Sequence, residues 1–460
     1  MKPASYPNDP AHLWQHFYAL SQIPRPSGQE QAVRQYVIEQ GESQGCRWRL
    51  VDFGNLVVYV PASAGLEAAP VVVIQNHLDM VTVKNDAKQH DFSSDPLQLL
   101  VRDGWLYADG TTLGADNGLG CAAALALLTD AALARPALEL IFTVEEETGL
   151  FGASAFDASL ISGKHMLNLD TEDWGELFIG CSGGRGWSMR RPLNFLSDSA
   201  ERDGWRLELS GLAGGHSGID IHRQHGNAIK LLGQWLIEAR DLGIHLCSFT
   251  GGIAHNVIPR SGALEFTCES SAASLEALNF RLEREWRDFL PAADAQLQLS
   301  LQSSSVGATL QPSDQQLVEQ LLAIHPHGAQ RYSLAQPEDL VDLSINLAVV
   351  TANEEGLFLE TTLRFFNEAE ARPLQQQVLS IAQWLQAEIT ETVNYPGWEP
   401  QFDGALLAHC CELYQQLFEG DAPAIKAIHA GLECGIVKSK KADIDVLSFG
   451  PTIRGAHSPT

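Results

Sequence analysis

The chain is poor in positive charge. Its 460 residues include 30 Lys and Arg against 57 Asp and Glu, which gives a formal net charge of −27. A surface this acidic repels phosphate groups, so nucleic acid or an anionic membrane surface would need a strong local basic patch. The densest basic cluster is Lys438, Lys440 and Lys441, which is small and typical of a solvated helix end. We therefore expect no nucleic-acid partner and no membrane partner.

Long apolar runs and paired cysteines are also missing. No apolar stretch reaches the ~18 to 20 residues of a membrane span, and the N-terminal residues lack the basic-then-apolar pattern of a signal peptide. The eight Cys residues form no CxxC pair and no disulfide framework. We interpret them as reduced thiols, and expect a cytoplasmic protein without a thiolate metal site.

The hydrophobic pattern predicts an α/β fold. Hydrophobic residues make up 45% of the chain, and its 460 residues exceed what one core usually supports, which indicates two domains. The N-terminal part predicts helices at 10–20 and 32–44, the second with a capping box formed by Ser27 and Glu30. Short, almost wholly apolar runs then predict strands buried on both faces, at 55–60, 71–75, 138–144 and 166–169. An Ala/Leu helix is predicted at 119–129.

The hydrophobic pattern changes near Arg185, where amphipathic strands alternate with helical patterns such as 372–389. This alternation is typical of an antiparallel α+β domain. Buried alternation of helix and strand resumes after about residue 402. We predict a discontinuous α/β domain, residues 1–184 and 397–460, with a mixed, mostly parallel sheet. Residues 185–396 form an inserted α+β domain with an antiparallel sheet. Strand-helix-strand patterning occurs before about Leu290 and again after about Leu343, so an internal duplication of the insertion stays open.

Acidic and imidazole side chains follow the predicted buried strands, where ligands gather in open α/β sheets. These candidates are His77, Asp79, Glu145, Glu146, Glu147, Asp170 and His457, with Asp116 just before the Ala/Leu helix. Imidazole and carboxylate without thiolate suit a hydrolytic Zn²⁺ or Mn²⁺ centre. The number of ligands fits two ions, with Asp116 bridging, His77 and Asp170 on one ion, and Glu147 and His457 on the other.

Each of these residues also has an ordinary alternative. A histidine after a strand is more often a surface or core residue, an Asp before a helix is usually an N-cap, and three successive Glu form an acidic turn. Their coincidence at several strand ends favours a metal, because packed like charges repel unless cations or protons neutralise them. The Asp79 carboxylate would accept the second N–H of His77. Either Glu145 or Glu146 could take a proton from water.

Seven motifs appear in order along the chain: NHLDMV (76–81), LGADNGLG (113–120), EETG (146–149), NLDTED (168–173), GGHSG (214–218), HNVIPR (255–260) and GPTIRGAHSP (450–459). Together they resemble the M20 family of dinuclear zinc peptidases, within it the aminoacyl-histidine dipeptidase group. The resemblance implies a zinc-peptidase catalytic domain and an inserted lid domain.

The resemblance also implies roles for individual residues. His77, Asp116, Glu147, Asp170 and His457 match the metal ligands, with Asp116 bridging. Glu146 matches the general base, which leaves Glu145 as an extra acidic neighbour, and Asp79 matches the carboxylate that orients His77. His216 matches a lid histidine that stabilises the oxyanion, and Asn256 and Arg364 match residues that bind the substrate backbone and C-terminal carboxylate. Members of this group usually continue for a further helix, whereas three residues follow His457 in this chain.

The function implied is a metal-dependent dipeptidase that hydrolyses unblocked dipeptides, of the aminoacyl-histidine type and including β-alanyl-histidine. A metal-bridging water activated by Glu146 would attack the peptide carbonyl. Two divalent ions are expected, Zn²⁺ first, with Mn²⁺ or Co²⁺ as alternatives. An N-acyl-amino-acid amidohydrolase with the same centre is the alternative function. A homodimer would supply His216 across an interface if the lid is not internally doubled.

Overall fold

The computed structural model describes residues 2–51, 53–196, 204–334 and 340–459. The chain forms two compact units. Unit 1 comprises Met1–Cys181, Trp398–Ala427 and Leu432–Thr460, and unit 2 comprises Ser182–Gly397 and Ile428–Gly431.

The N-terminal part of the chain supplies most of unit 1. Its strands up to residue 181 are β1 Arg47–Leu50, β2 Leu56–Val60, β3 Val72–His77, β4 Leu99–Arg102, β5 Trp105–Ala108, β6 Leu138–Thr143, β7 His165–Asn168 and β8 Glu176–Cys181. The helices of this part are α1 Ala11–Ser21, α2 Gln31–Ser43, α3 Ala115–Thr129 and α4 Phe151–Ala155.

The middle of the chain contributes the elements of unit 2. Its strands are β9 Gly183–Arg191, β10 Phe195–Leu196, β11 Gly204–Ser210, β12 Ile244–Gly251, β13 Gly262–Cys268, β14 Gln298–Ser303, β15 Thr309–Leu310, β16 Gly328–Tyr332, β17 Val341–Asn353, β18 Gly356–Phe365 and β19 Glu388–Tyr395. Its helices are α5 Ala228–Glu238, α6 Ala272–Phe289, α7 Pro312–Ile324 and α8 Glu368–Leu385. The final part contains α9 Ala405–Leu417, β20 Ala424–Ile428, α10 Glu433–Lys440 and β21 Asp445–Ser448.

Unit 1 is built on a mixed sheet of order β1-β2-β6-β3-β7-β21-β8-β20. Its central strands are parallel, because β3 pairs in parallel with β6 and β7, and β7 pairs in parallel with β21. All six residues of β6 are buried, and Phe142 of this strand packs in one core with Phe17 of α1 and Leu125 of α3. The carboxyl ends of four neighbouring strands therefore meet at one edge.

Unit 2 contains an antiparallel sheet of order β14-β11-β13-β12-β17-β18-β9-β19, with β16 paired to β17. The elements β11, α5, β12, β13, α6 and β14 form a βαββαβ set with strand order 4-1-3-2. The same order recurs in β9, α7, β17, β18, α8 and β19, so the first set is nested within the second. This nesting explains why the sequence pattern indicated a duplication without two successive repeats.

The predicted α/β fold with a second, antiparallel α+β unit is confirmed. The end of one predicted helix is wrong, because the helix expected over 372–389 is observed as Glu368–Leu385 and the strand β19 begins at Glu388. Gln386 takes a left-handed conformation, with φ of 54°, which stops the helix, and the residues that follow pair with β9. None of the described helices is long and apolar enough to cross a membrane.

Candidate metal centre

Three parallel strands bring the predicted ligands of unit 1 together. His77 is the last residue of β3, Asp170 follows β7 by two residues, and the turn after β6 carries Glu146 and Glu147. His77 pairs with Thr143 at the end of β6, and Gln75 pairs with Asn168 at the end of β7, so Asp170 follows β7 by as many residues as His77 follows Gln75. The backbone pairing therefore delivers an imidazole and carboxylates to a single edge.

Asp116 lies between two groups of donor atoms. On one side the Nε2 of His77 lies 3.0 Å from Asp116 Oδ1 and 3.2 Å from Asp170 Oδ1. On the other side the Nε2 of His457 lies 3.5 Å from Asp116 Oδ2 and 3.4 Å from Glu147 Oε2. Each group places one ligand atom per residue within 4.8 Å of the others. One carboxylate thus offers its two oxygens to two separate ligand groups.

These spacings fit divalent cations. With metal–ligand distances of about 2.0–2.1 Å, neighbouring ligand atoms of a tetrahedral zinc site lie about 3.3 Å apart. Glu147 Oε1 is buried and accepts no hydrogen bond within the described part of the chain, whereas the buried Asp170 Oδ1 has Nε2 of His77 beside it at 3.2 Å. Buried carboxylate oxygens without a donor are costly unless a cation neutralises them. The donor set, its spacing and the unpaired oxygen of Glu147 all fit a two-ion centre.

The pKa values of the cluster indicate that its packed carboxylates need positive charge beside them. Burial lowers the pKa of His77, but Asp170, Asp116 and Asp79 more than offset this and raise it well above its usual value. Hydrogen bonds to Asp116 and Glu147 raise the pKa of His457 to about 10. Burial raises the pKa of the Asp170 carboxyl to about 7. Imidazole must lose its proton to bind a metal, so cation binding at these ligands is coupled to proton release.

Asp79 supports the first histidine. Its Oδ1 lies 3.3 Å from Nδ1 of His77, and its carboxylate accepts hydrogen bonds from the backbone N–H groups of Glu146 and Glu147 at 3.1 Å each. The hydroxyl of Ser27 donates to Oδ2 at 2.7 Å. Burial raises the pKa of Asp79, but His77, the hydroxyl of Ser27 and the N–H of Glu146 bring it down to about 2. The buried carboxylate therefore stays ionised and links His77 to the acidic turn after β6.

The structure separates the three consecutive glutamates. His77, Glu146 and Glu147 each offer a ligand atom within 4.8 Å of the others. Glu145 is outside that group and takes a positive φ of 51°, with its N–H donating to Glu30 Oε1 at 3.1 Å. Burial raises the pKa of Glu146 well above its usual value. A carboxyl group with a raised pKa at the edge of a metal site is suited to accept and return a proton.

Comparison with known proteins adds a second line of evidence to this geometry. The sequence profile of peptidase family M20/M25/M40 matches residues 73–460. The chain belongs to this family. The predicted M20 resemblance is therefore confirmed.

Relatives of this M20 chain include two that cover nearly all of it. It is 34% identical over 456 residues to the cytosol non-specific dipeptidase of Escherichia coli, covering 98% of this chain and 93% of the relative. It is also 34% identical to the aminoacylhistidine dipeptidase of Vibrio alginolyticus, whose crystal structure superposes with a TM-score of 0.86 over 98% of this chain and 92% of the other. A tripeptidase from Staphylococcus aureus shares the fold at a TM-score of 0.54 and 16% identity, covering 97% of this chain and 91% of the other.

The remaining predicted site residues of this M20 chain lie in unit 2. His216 is fixed in a turn, where its Nδ1 accepts hydrogen bonds from the N–H groups of Gly218 at 3.2 Å and Ile219 at 3.1 Å. This assigns the neutral ring proton to Nε2, which is then a donor. Asn256 is half-buried, and its backbone carbonyl oxygen accepts a hydrogen bond from the backbone N–H of Ser217 at 2.8 Å.

Arg364 lies near His216 within unit 2. A Cβ at Gly218 would lie 3.1 Å from both Arg364 Nε and His216 Cε1, so the two side chains flank that glycine. Arg364 is buried on β18 and donates from Nη1 to the hydroxyl of Tyr395 at 3.1 Å. Its Nε is buried without a hydrogen-bond partner among the described residues. The three site residues predicted in the inserted domain, His216, Asn256 and Arg364, therefore lie close together within unit 2.

Sequence reasoning missed the segment that supports the centre from the N-terminus. Ser27 and Glu30 were expected to form a capping box of α2, and this is wrong, because no side chain caps that helix. Instead Ser27 donates to Asp79, and Glu30 accepts from the N–H groups of Gly28 and Glu145. Arg25, which was not singled out at all, donates to backbone carbonyls beside the ligands. The segment resembled a helix start because Ser followed by Glu three residues later is also the capping signature.

Sequence reasoning also missed a buried carboxyl group at the start of α10. Glu433 accepts hydrogen bonds from Gln75 and from Thr143 Oγ1, the latter at 2.6 Å, and burial raises its pKa to about 8. Gln75 in turn accepts from Asn168 at 2.5 Å. The network links α10 to β3, β6 and β7, three strands whose ends carry ligands.

Proposed function

We propose that this chain is a metal-dependent dipeptidase that hydrolyses unblocked dipeptides, with histidine favoured as the second residue and β-alanyl-histidine among the substrates. The observation that carries the proposal is the position of Asp116. One of its carboxylate oxygens lies 3.0 Å from Nε2 of His77, and the other lies 3.5 Å from Nε2 of His457. The names of the two relatives at 34% identity, a cytosol non-specific dipeptidase and an aminoacylhistidine dipeptidase, support the substrate class.

The chain's own residues divide between two cations. We assign His77 and Asp170 to one, Glu147 and His457 to the other, and Asp116 to both. When bound, the two cations supply positive charge that acidifies a water molecule and polarises the scissile carbonyl. Mixed imidazole and carboxylate ligands favour Zn²⁺, with Mn²⁺ or Co²⁺ as the alternatives.

Glu146 is the proposed proton carrier. Its carboxylate accepts a proton from the attacking water, whose oxygen forms a bond to the peptide carbon. The carbon–nitrogen bond then breaks, and Glu146 returns the proton to the leaving amine nitrogen. Asp79 keeps His77 in the tautomer that presents Nε2 to the site, because its carboxylate faces Nδ1 at 3.3 Å.

Residues of unit 2 are proposed to hold the substrate, with 1–184 and 397–460 as the catalytic domain and 185–396 as the lid. The Nε2–H of His216 would donate to the oxyanion, because its Nδ1 is already occupied by two backbone N–H groups. Arg364 would bind the C-terminal carboxylate of the dipeptide, and Asn256 the peptide backbone. A fixed cation at the C-terminal end of the substrate favours short peptides over long ones.

Replacement of Glu146 by Gln tests the mechanism. We expect Glu146→Gln to bind two metal ions but to lose about 10² to 10⁴-fold in kcat on dipeptides, the range for loss of a general base. Glu145→Gln removes the adjacent carboxylate and is the matched control, for which we expect near wild-type turnover. Metal content by mass spectrometry and dipeptide hydrolysis are the measurements. Wild-type turnover in Glu146→Gln would contradict the assignment.

The substrate class is tested by comparing kcat/KM on free dipeptides and on N-acetyl amino acids. We expect the free dipeptides to be preferred, with alanyl-histidine and β-alanyl-histidine above matched dipeptides without histidine. A preference for N-acetyl amino acids would favour the amidohydrolase alternative, because the same metal ligands serve both reactions.

We further propose a cytoplasmic location, in keeping with the Escherichia coli relative, and action of His216 within its own chain. The doubled strand order of unit 2 supports the second point, because one chain already contains two βαββαβ sets. Sedimentation at assay concentration, with activity measured on the same samples, tests it. Activity confined to a homodimer would favour a histidine supplied by a second copy.

A further inference from the structure

Arg25 is buried beside the metal centre and is only 3% exposed. Its Nη1 donates to the carbonyl oxygens of Leu78 at 2.8 Å and Asp79 at 2.7 Å, and its Nη2 donates to the carbonyl oxygen of Gly114. One planar guanidinium therefore joins two separate loops through backbone atoms.

The two loops are those that carry ligands of the same proposed ion. Leu78 is the residue after His77, and Gly114 is two residues before Asp116. His77 and Asp116 themselves lie 3.0 Å apart, between Nε2 and Oδ1. Because the contacts of Arg25 are to main-chain oxygens, they constrain the path of both loops and not only a side-chain rotamer.

The space for the guanidinium is built by glycine. Gly114 has a φ of 64°, and a Cβ there would lie 2.5 Å from Arg25 Nη2. A Cβ at Gly118, in the first turn of α3, would lie 2.7 Å from the same atom. A side chain at either position would displace the arginine, so the start of α3 and Arg25 fit one another.

The charge environment also accounts for an arginine at this buried position. Burial lowers the pKa of the guanidinium, while the carboxylates of Asp79, Asp116 and Glu147 are among the groups that oppose this shift. A buried charge is retained only where hydrogen bonds and opposite charges compensate its desolvation. Arginine supplies donors in a planar fork, which a lysine cannot reproduce.

We propose that Arg25 is a positioning residue of the metal centre, which holds the chain after His77 and the chain before Asp116 so that both ligands reach one ion. The inference rests on the proposed function, because it requires that these residues bind metal. It assigns to Arg25 no contact with the substrate or with the ions.

Arg25→Met tests the proposal, because methionine retains the apolar stem and removes the charge and the donors. Arg135→Met is the matched control. Arg135 also donates to three backbone carbonyls, those of Leu128, Asp130 and Leu133, but at the opposite end of α3. Zn²⁺ affinity is measured by calorimetry on the metal-free full chain, and the stability of the metal-free chain by urea unfolding.

We expect Arg25→Met to weaken Zn²⁺ binding at least tenfold, and Arg135→Met to lower urea stability while leaving the Zn²⁺ Kd within twofold of wild type. Excess Zn²⁺ should restore part of the dipeptide turnover of Arg25→Met. If that variant does not fold, Arg25→Lys replaces it, with an expected Kd increase of about three- to tenfold.

Two results would overturn the inference. One is a wild-type Kd in the folded Arg25 variant, and the other is an equal loss of affinity in Arg135→Met, which would indicate a general effect of stability. A wild-type chain that binds no Zn²⁺, Mn²⁺ or Co²⁺ would instead overturn the proposed function. The two failures are therefore distinguishable.

Discussion

At the scale of single residues, the proposed metal ligands are hydrogen-bonded by side chains outside the proposed ligand set. Asp79 is fully buried and joins Ser27, His77 and the acidic turn after β6 through its two oxygens. Partners of this kind set the orientation and basicity of a ligating histidine. The properties of His77 as a ligand are therefore determined partly by the N-terminal segment, about 50 residues earlier in the chain.

Replacement of Asp79 by Asn gives a prediction at this scale. The amide places an N–H donor among groups that already donate, and it removes the negative charge facing Nδ1 of His77. We expect about 10- to 100-fold weaker Zn²⁺ binding, the usual effect of losing such a partner, with a parallel loss of kcat/KM at limiting metal.

Ser27→Ala is the comparison for that variant. It removes one hydrogen bond at 2.7 Å and leaves the Asp79 carboxylate in place, so its effect on Zn²⁺ affinity should be smaller. Calorimetric titration of both metal-free variants provides the measurement. Equal Kd values for Asp79→Asn and wild type would exclude a role of this carboxylate in metal binding.

At the scale of elements, the sequence predicted most of the strands that carry ligands. The strands expected at 138–144 and 166–169 are observed as Leu138–Thr143 and His165–Asn168, because short, mostly apolar runs are typical of strands buried in a parallel sheet. The helix expected over 119–129 is observed as α3, which starts at Ala115 but has non-helical φ/ψ at Asp116 and Asn117, so its regular part begins close to the expected residue. Residues 115–118 include Asp116 and Gly118 and have no helical hydrophobic period, so this irregular start could not be recognised from the pattern.

One buried histidine links the first three helices, and its burial predicts that the free energy of unfolding depends on pH. His16 of α1 lies 2.8 Å from both Tyr36 Oη of α2 and Thr129 Oγ1 of α3, through Nδ1 and Nε2 respectively. Burial lowers the pKa of His16 to about 4. The unfolded chain, with a histidine pKa of about 6.5, therefore takes up the proton first as pH falls.

Stability contributed by neutral His16 is thus present above about pH 6.5 and lost as pH falls towards 4. The loss should approach about 1.4 kcal/mol per pH unit between these values. We expect His16→Gln to show a shallower fall of unfolding free energy between pH 6.5 and 4.5 than wild type. Urea unfolding with chelator present in both samples is the measurement, and identical pH slopes would contradict the prediction.

At the scale of the whole molecule, metal binding should act on one of the two units. All the proposed ligands lie in unit 1, in separate stretches of chain that meet at one sheet edge. A ligand that binds only the folded state stabilises it by about 2.7 kcal/mol at a concentration 100 times its Kd. Because the ions would link stretches that are distant in sequence, their stabilising effect should extend to all the stretches that meet at this edge of the unit 1 sheet.

Hydrogen–deuterium exchange of the full chain with and without Zn²⁺ provides the test. We expect slower exchange with metal in peptides containing 77–80, 114–118, 145–150 and 169–172, and little change in α6, which lies in unit 2. Addition of chelator should reverse the effect. Uniform protection of both units by metal would contradict a centre confined to the edge of the unit 1 sheet.

The amino-acid sequence by itself determined the order and chemical type of the candidate ligands, because each one is adjacent to an apolar run or to glycines that are recognisable locally. It also determined the α/β class with a second, antiparallel α+β part, through the change from buried to amphipathic strands. The tertiary structure supplied the distances that place Asp116 between the two donor groups expected for it, and it alone showed that Arg25 joins the loop after His77 to the loop before Asp116. These features are contacts between segments far apart in sequence. A side chain that donates to backbone carbonyls requires no particular residue at the accepting position, so the contacts of Arg25 leave no recognisable pattern in the sequence.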